Sequence, residues 1–168
     1  NEEKANPTVE IKSNENAKII DNIRRQIQQY NLSPEQEKFL ISPLLIKASI
    51  HNNTSGVFKG FYKDSNTGIG KFGGNAENAL IRILCEINLE YPIFSNYECE
   101  TKVYNSDINV LVKSLPMELD VTYYDPPYNE HPYGSNYHML NTILDYTEPL
   151  EISKVSGIPT DWQKSTYN

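Results

Sequence analysis

The stretch ELDVTYYDPPYNEHPYGSNYH, residues 118–138, decides how the chain is read. Residues 118–124 are apolar enough for a strand inside a sheet. Asp125-Pro126-Pro127-Tyr128 ends that strand. A helix is predicted over 135–146, with Tyr137, Leu140 and Leu144 on its buried side and Pro149 closing it. A strand, a sharp turn and a helix put the turn at the carboxyl end of a strand, the edge where open α/β sheets bind ligands. Pro126 and Pro127 fix two successive φ angles and remove two N–H donors. The carbonyls there stay available as acceptors, and Tyr128 projects in a defined direction. With the Asp125 carboxylate they make a rigid corner of acceptors beside one aromatic plate. Such a corner suits an amino group on a flat ring, although an Asp-Pro-Pro turn alone is a common loop sequence.

Working back from the turn, residues 101–105 (TKVYN) predict a short strand. Ser106 or Asp107 caps a helix whose Ile108, Leu111, Val112 and Leu115 share one face. EYPIFSN reads as extended around Pro92, and a helix is predicted at 76–86. Residues 54–75 have a different character. They hold six of the eight glycines, interleaved with Phe58, Lys59, Phe61, Tyr62, Lys63, Lys71 and Phe72. From Lys47 to Arg82 there are five Lys/Arg against two acidic residues, a basic island in a chain of net charge -7. This predicts a long, mobile surface loop of the kind that often carries function. Its Lys59, Lys63 and Lys71 are candidates for phosphate contact, and a solvated loop is the plainer alternative.

Nearer the amino end, Ile20, Ile23, Ile27 and Tyr30 recur at helical spacing, with Arg24, Arg25, Gln28 and Gln29 on other faces. NLSPEQE restarts a helix, with Ser33 as N-cap, Pro34 at the first position and Gln36 completing a capping box. Phe39, Leu40, Leu44 and Ala48 lie along it, and Pro43 is expected to kink or split it. The pair forms an αα-hairpin. The organisation expected is a polar tail at 1–14, the hairpin and basic loop at 15–97, and a partial α/β core at 98–168. Residues 150–168 read as irregular, with Trp162 as a packing anchor.

Composition narrows the classes. A length of 168 residues fits one domain, and 38% hydrophobic with 22% charged residues is ordinary for a globular protein. The acidic balance argues against simple electrostatic binding of nucleic acid, which depends on Lys and Arg neutralising phosphates. Cys85 and Cys99 have no metal-site or disulfide-framework spacing. With no long apolar run, the expectation is a reduced, cytoplasmic protein without membrane or metal. The sequence starts without Met and stops without an obvious final element, so a central piece of a longer protein is expected.

Asp125-Pro126-Pro127-Tyr128 resembles the catalytic motif of S-adenosylmethionine-dependent DNA methyltransferases acting on exocyclic amino groups. The longer YYDPPYNEHPYGSNYHMLNTILDYTEP is similar to the adenine-N6 branch. NENAKIIDNIRRQI, LLIKASIHNNTSGVFKGFYK and SKVSGIPTDW also look like segments of that family, so the resemblance covers most of 14–168. The resemblance implies an α/β fold that is part of a Rossmann-like methyltransferase sheet, with the helical hairpin and the Gly-rich basic loop facing DNA. The Gly-rich strand-to-helix motif that binds the family's methyl donor has no counterpart here. GIGKFGG (68–74) lies in the basic loop with no strand before it, and such a cluster alone is weak evidence.

The resemblance further implies S-adenosylmethionine as donor and a flipped-out adenine of duplex DNA as acceptor. It assigns amino-group capture to the Asp125 side chain and the Pro126 carbonyl, and stacking on the base to Tyr128. It places Pro127, Asn129, Tyr133, Asn136 and His138 around the pocket, with local turn packing and a helix start as the plainer alternative for the last three. Asp107 becomes a contact to the donor's adenine, with a plain N-cap as the alternative. Expected partners are duplex DNA, the missing part of the methyltransferase and a cognate restriction nuclease. Two other readings are an RNA or ribosomal base methyltransferase and a non-catalytic DNA-binding subunit, the latter favoured by the absent Gly-rich motif.

Overall fold

The computed structural model describes residues 12–58, 62–68, 70–115, 118–125, 132–153 and 158–162. Helix α1 spans Asn14–Gln29, and Ser13 caps it by accepting from the Asn16 backbone N–H. Helix α2 spans Pro34–Ile50. Its predicted capping box is formed: the Ser33 hydroxyl accepts from Gln36 N, and the Gln36 side chain accepts from Ser33 N at 2.9 Å. The helix runs through Pro43 without splitting. Ile41 and Leu44 are buried on either side of the proline, and their packing offsets its missing donor.

Shorter elements follow: a 3-10 turn at Asn75–Glu77, then α3 (Leu80–Leu84), α4 (Ile108–Leu111), α5 (Tyr133–Asn136) and α6 (His138–Asp145). The helix expected over 76–86 is therefore only the five residues of α3 after that turn. The single helix expected over 135–146 is broken at Tyr137 (φ -116°, ψ 17°). That break turns His138 and Ile143 inward and leaves Tyr137 and Leu144 exposed, contrary to the predicted face.

The core lies between α1, α2 and α6. Ile20, Leu44, Ala48, Ile87 and Ile143 form it, with Ile19, Ile23, Leu45, Met139 and Leu140 packed against them. Arg24, read as surface, is 2% exposed. Its guanidinium donates to Glu37 on α2 at 3.3 Å and to the Leu144 carbonyl of α6 at 3.1 Å, and lies 5.1 Å from the Tyr146 ring centroid. Tyr146, at φ +49°, ends α6 and sends its hydroxyl to the Asp21 carbonyl and carboxylate of α1. One arginine and one tyrosine thus bolt three helices together.

No β-strand longer than an isolated bridge forms among the described residues. The strands expected at 101–105 and 118–124 are extended chain without ladder partners, and Val103 and Val121 are 89% and 84% exposed. The face expected on α4 is not buried either: Ile108 and Val112 are exposed. The reason is physical: an alternating strand is stable only beside another strand, and none of the described segments supplies one. Helices α1 and α2 bury their apolar faces on each other and need no such partner.

These contacts set expected stabilities. Leu44 is fully buried, so Leu44→Ala should lose about 2–5 kcal/mol in denaturant unfolding. Ser33→Ala removes only the cap and should lose about 1 kcal/mol.

Candidate functional site

The end of α2 is the base on which the Gly-rich loop stands. Asn52, Asn53 and Thr54 follow it in sequence and are all buried. The Asn52 side chain accepts from the Thr54 N–H at 3.1 Å and from its hydroxyl, and donates to the Ser49 carbonyl. Asn53 donates to the Lys71 carbonyl at 3.2 Å and accepts from the Gly73 N–H at 3.1 Å. These bonds all stay within the chain, most of them to its own backbone.

The described residues of the loop they support are held by backbone hydrogen bonds. Lys71 N–H donates to the Tyr62 carbonyl at 2.8 Å, and Lys63 pairs with Gly70 in an antiparallel bridge. Asp64 shapes the tip by accepting from the N–H groups of Asn66 and Thr67, which holds its carboxyl below the usual range. Gly74, at φ +80°, lies in the backbone region where a side chain would be strained. Lys63 is exposed and Lys71 half-buried.

A cationic group sits beneath this platform. Lys12 Nζ donates to the Ala48 carbonyl and, at 3.3 Å, to that of His51, and lies 5.6 Å from the Phe58 ring centroid. Arg82 donates to the Ile50 carbonyl and, at 2.9 Å, to the Asn52 carbonyl. The His51 Nδ1–H in turn donates to the Arg82 carbonyl at 2.7 Å. Burial, and secondarily the charge of Arg82, lowers the Lys12 pKa to about 8.

Phe58 connects the loop to the helices that follow residue 125 in sequence. Its N–H donates to the Asn136 carbonyl at 2.8 Å, and its ring meets His138 edge-on with centroids 6.4 Å apart. His138 is 3% exposed. Its Nδ1–H donates to the Ser135 carbonyl at 3.0 Å, while Nε2 is buried with no hydrogen-bond partner among the described residues. Burial lowers its pKa, outweighing the Ser135 carbonyl, so the ring is neutral. Tyr133 stacks on Tyr137 with centroids 6.0 Å apart. A cavity of about 90 Å³ lies between α6 and the segment 158–162, walled by His138, Asn141, Asp145, Asp161 and Trp162 among others.

Asp125 is exposed. Asp107 N-caps α4, accepting from Asn109 N–H at 2.8 Å. Asn136 and His138 are brought against Phe58 of the loop. Lys59, Pro126, Pro127, Tyr128 and Asn129 lie outside the described residues. Among the described residues there is no cluster of metal-ligating side chains, and no helix is long and apolar enough to cross a membrane.

Comparison with known proteins decides the family. The sequence pattern of the D12 class N6 adenine-specific DNA methyltransferases matches residues 8–158. The chain belongs to that family. It is similar to the type II methyltransferase M.NlaIII of Neisseria lactamica, 33% identical over 140 residues that cover 81% of this chain and 37% of the relative. Modification methylase StsI of Streptococcus sanguinis is 32% identical over 161 residues, 90% of this chain and 21% of the relative. Type II methyltransferase M.CviAII of Paramecium bursaria Chlorella virus 1 is 32% identical over 157 residues, 91% and 41%. The chain thus spans between about a fifth and two fifths of the length of these relatives. No solved structure matches it. The family description names DNA, so the RNA-base alternative is not favoured.

The Lys12 environment gives a pH signature. Its folded pKa of about 8 lies below the ordinary lysine value of 10.5. Between those values the unfolded chain binds the extra proton, so stability should rise with pH across that window. The slope of unfolding free energy against pH in that window should be shallower in Lys12→Met than in the parent; identical slopes would remove Lys12 as its source.

Proposed function

We propose that this chain is the base-capturing part of an adenine-N6 DNA methyltransferase of a restriction–modification system, with S-adenosylmethionine as methyl donor. The observation that carries the reading is the family match, which spans 8–158 and contains Asp125-Pro126-Pro127-Tyr128. The amino nitrogen of adenine is a weak nucleophile because its lone pair is delocalised into the ring. The Asp125 carboxylate and the Pro126 carbonyl accept its two N–H groups and draw it toward a tetrahedral, attacking geometry. The gain is positioning and preorganised electrostatics. The base must leave the duplex first, at an unstacking cost of a few kcal/mol. Stacking on Tyr128 returns about 1–3 kcal/mol. Pro127 keeps the corner stiff, and Asn129, Tyr133, Asn136 and His138 support it. His138 is buried, with its ring held by the Ser135 carbonyl, which suits it to support the corner.

Lys59, Lys63 and Lys71 meet phosphates and seat the loop on the duplex. The donor supplies an electrophilic methyl group. Among the described residues its one candidate contact is Asp107, exposed at the start of α4. Gly73, with its N–H engaged by Asn53, belongs to a packed turn and not to a strand-to-helix cradle. The described residues therefore do not fit the donor as a site. Its pocket is assigned to the remainder of the methyltransferase, whose strands would pair with 101–105 and 118–124 to complete a Rossmann-like sheet. A cognate nuclease sharing the recognition sequence is the further partner.

The test is methylation of duplex DNA by the chain joined to a donor-binding segment of such an enzyme. Asp125→Ala should reduce transfer by about 10²–10³-fold, the scale for loss of one preorganised hydrogen-bonding group, with helical content retained. Undiminished transfer would remove Asp125 from the chemistry.

A further inference from the structure

Asn53 is 1% exposed and sits just beyond the end of α2. A single short amide there reaches two backbone groups of the basic loop, the Lys71 carbonyl and the Gly73 N–H, across 18 and 20 residues of sequence. One is an acceptor and the other a donor, so the side chain must offer both functions. Gly73, at φ +94°, is in the backbone region that L side chains rarely adopt. Its carbonyl accepts from Ala79 N–H at 2.9 Å, which pins the segment from the other side.

Two basic residues depend on this anchor. Lys71 carries one of the bonded carbonyls. Lys63 lies on the opposing arm, joined through the Gly70 bridge and through the Lys71 N–H bond to Tyr62. Phosphates are spaced regularly along a duplex, so cations on two arms bind best when the register between the arms is fixed.

We propose that Asn53 is a positioning residue: it sets the backbone of Lys71–Gly73, and with it the spacing of the loop's cations toward a duplex DNA backbone. The inference rests on the reading of this loop as the DNA contact. Asn53 itself touches no DNA. It acts through the loop it holds, and asparagine is required because alanine keeps neither bond and aspartate keeps only the acceptor half.

The experiment measures two things on the 168-residue chain: hydrogen exchange of the Gly73 amide, and gel-shift affinity for a short duplex. In Asn53→Ala the Gly73 amide should exchange about 5–10-fold faster and duplex affinity should fall by a similar factor, the scale of one neutral hydrogen bond. In Asn53→Asp the amide should stay within about threefold of the parent, because the carboxylate still accepts. A Gly73 amide as slow in Asn53→Ala as in the parent overturns the proposal. So does a freed amide with unchanged affinity, if a Lys63→Ala/Lys71→Ala double variant weakens binding. If that double variant also binds like the parent, the reading of the loop as a DNA contact fails instead. The exchange result still decides whether Asn53 holds the backbone.

Discussion

A buried asparagine on α1 carries the constraint on which this structure depends. Asn16 is 1% exposed; its amide donates to the carbonyls of Ile83 and Cys85 and accepts from the N–H of Ile87. Buried backbone groups must find partners. In a sheet the neighbouring strand provides them. Here the segment that carries Ile83 and Ile87 into the interior has no strand beside it, so one side chain does the work of a ladder. Without that amide, Ile87 could enter the core only at the cost of unsatisfied peptide groups.

Asn53 repeats the arrangement at the far end of α2, and the two asparagines divide the molecule. One fixes the chain leaving α3, and the other fixes the basic loop entering it. Between them, Lys12 and Arg82 cover the terminal carbonyls of α2, where a helix end accumulates partial negative charge. The contact between Phe58 and α5–α6 ties the basic loop to the helices that follow residue 125 in sequence: they share a backbone hydrogen bond and an aromatic edge.

The helical hairpin was legible because its signals are local. A serine, a proline and a glutamine within four residues specify where α2 begins, and Asp107 specifies where α4 begins. The strands expected at 101–105 and 118–124 rested on pattern alone, and a pattern does not say which segment will pair; among the described residues none does. Arg24 was missed for the opposite reason, as a polar residue assigned to another face of the helix, and Asn16 gave no signal beyond its register. Their register was readable, because Asn16, Ile20, Arg24 and Ile27 fall at intervals of four, four and three, along one face of α1. Of the site, Asp125 and the basic loop could be named from residue types. The anchoring of that loop by Asn53 could not, because its bonds span about twenty residues and depend on where α2 stops.

The chain contains a single tryptophan, Trp162, and it forms part of the wall of the cavity beside α6, facing Asp145, Asp161 and the neutral His138 ring. Its near-ultraviolet emission therefore reports on one place only. An indole beside carboxylates and an imidazole responds in intensity and wavelength when either wall shifts, so the molecule carries a built-in optical probe for the docking of residues 158–162 against α6, with no label required.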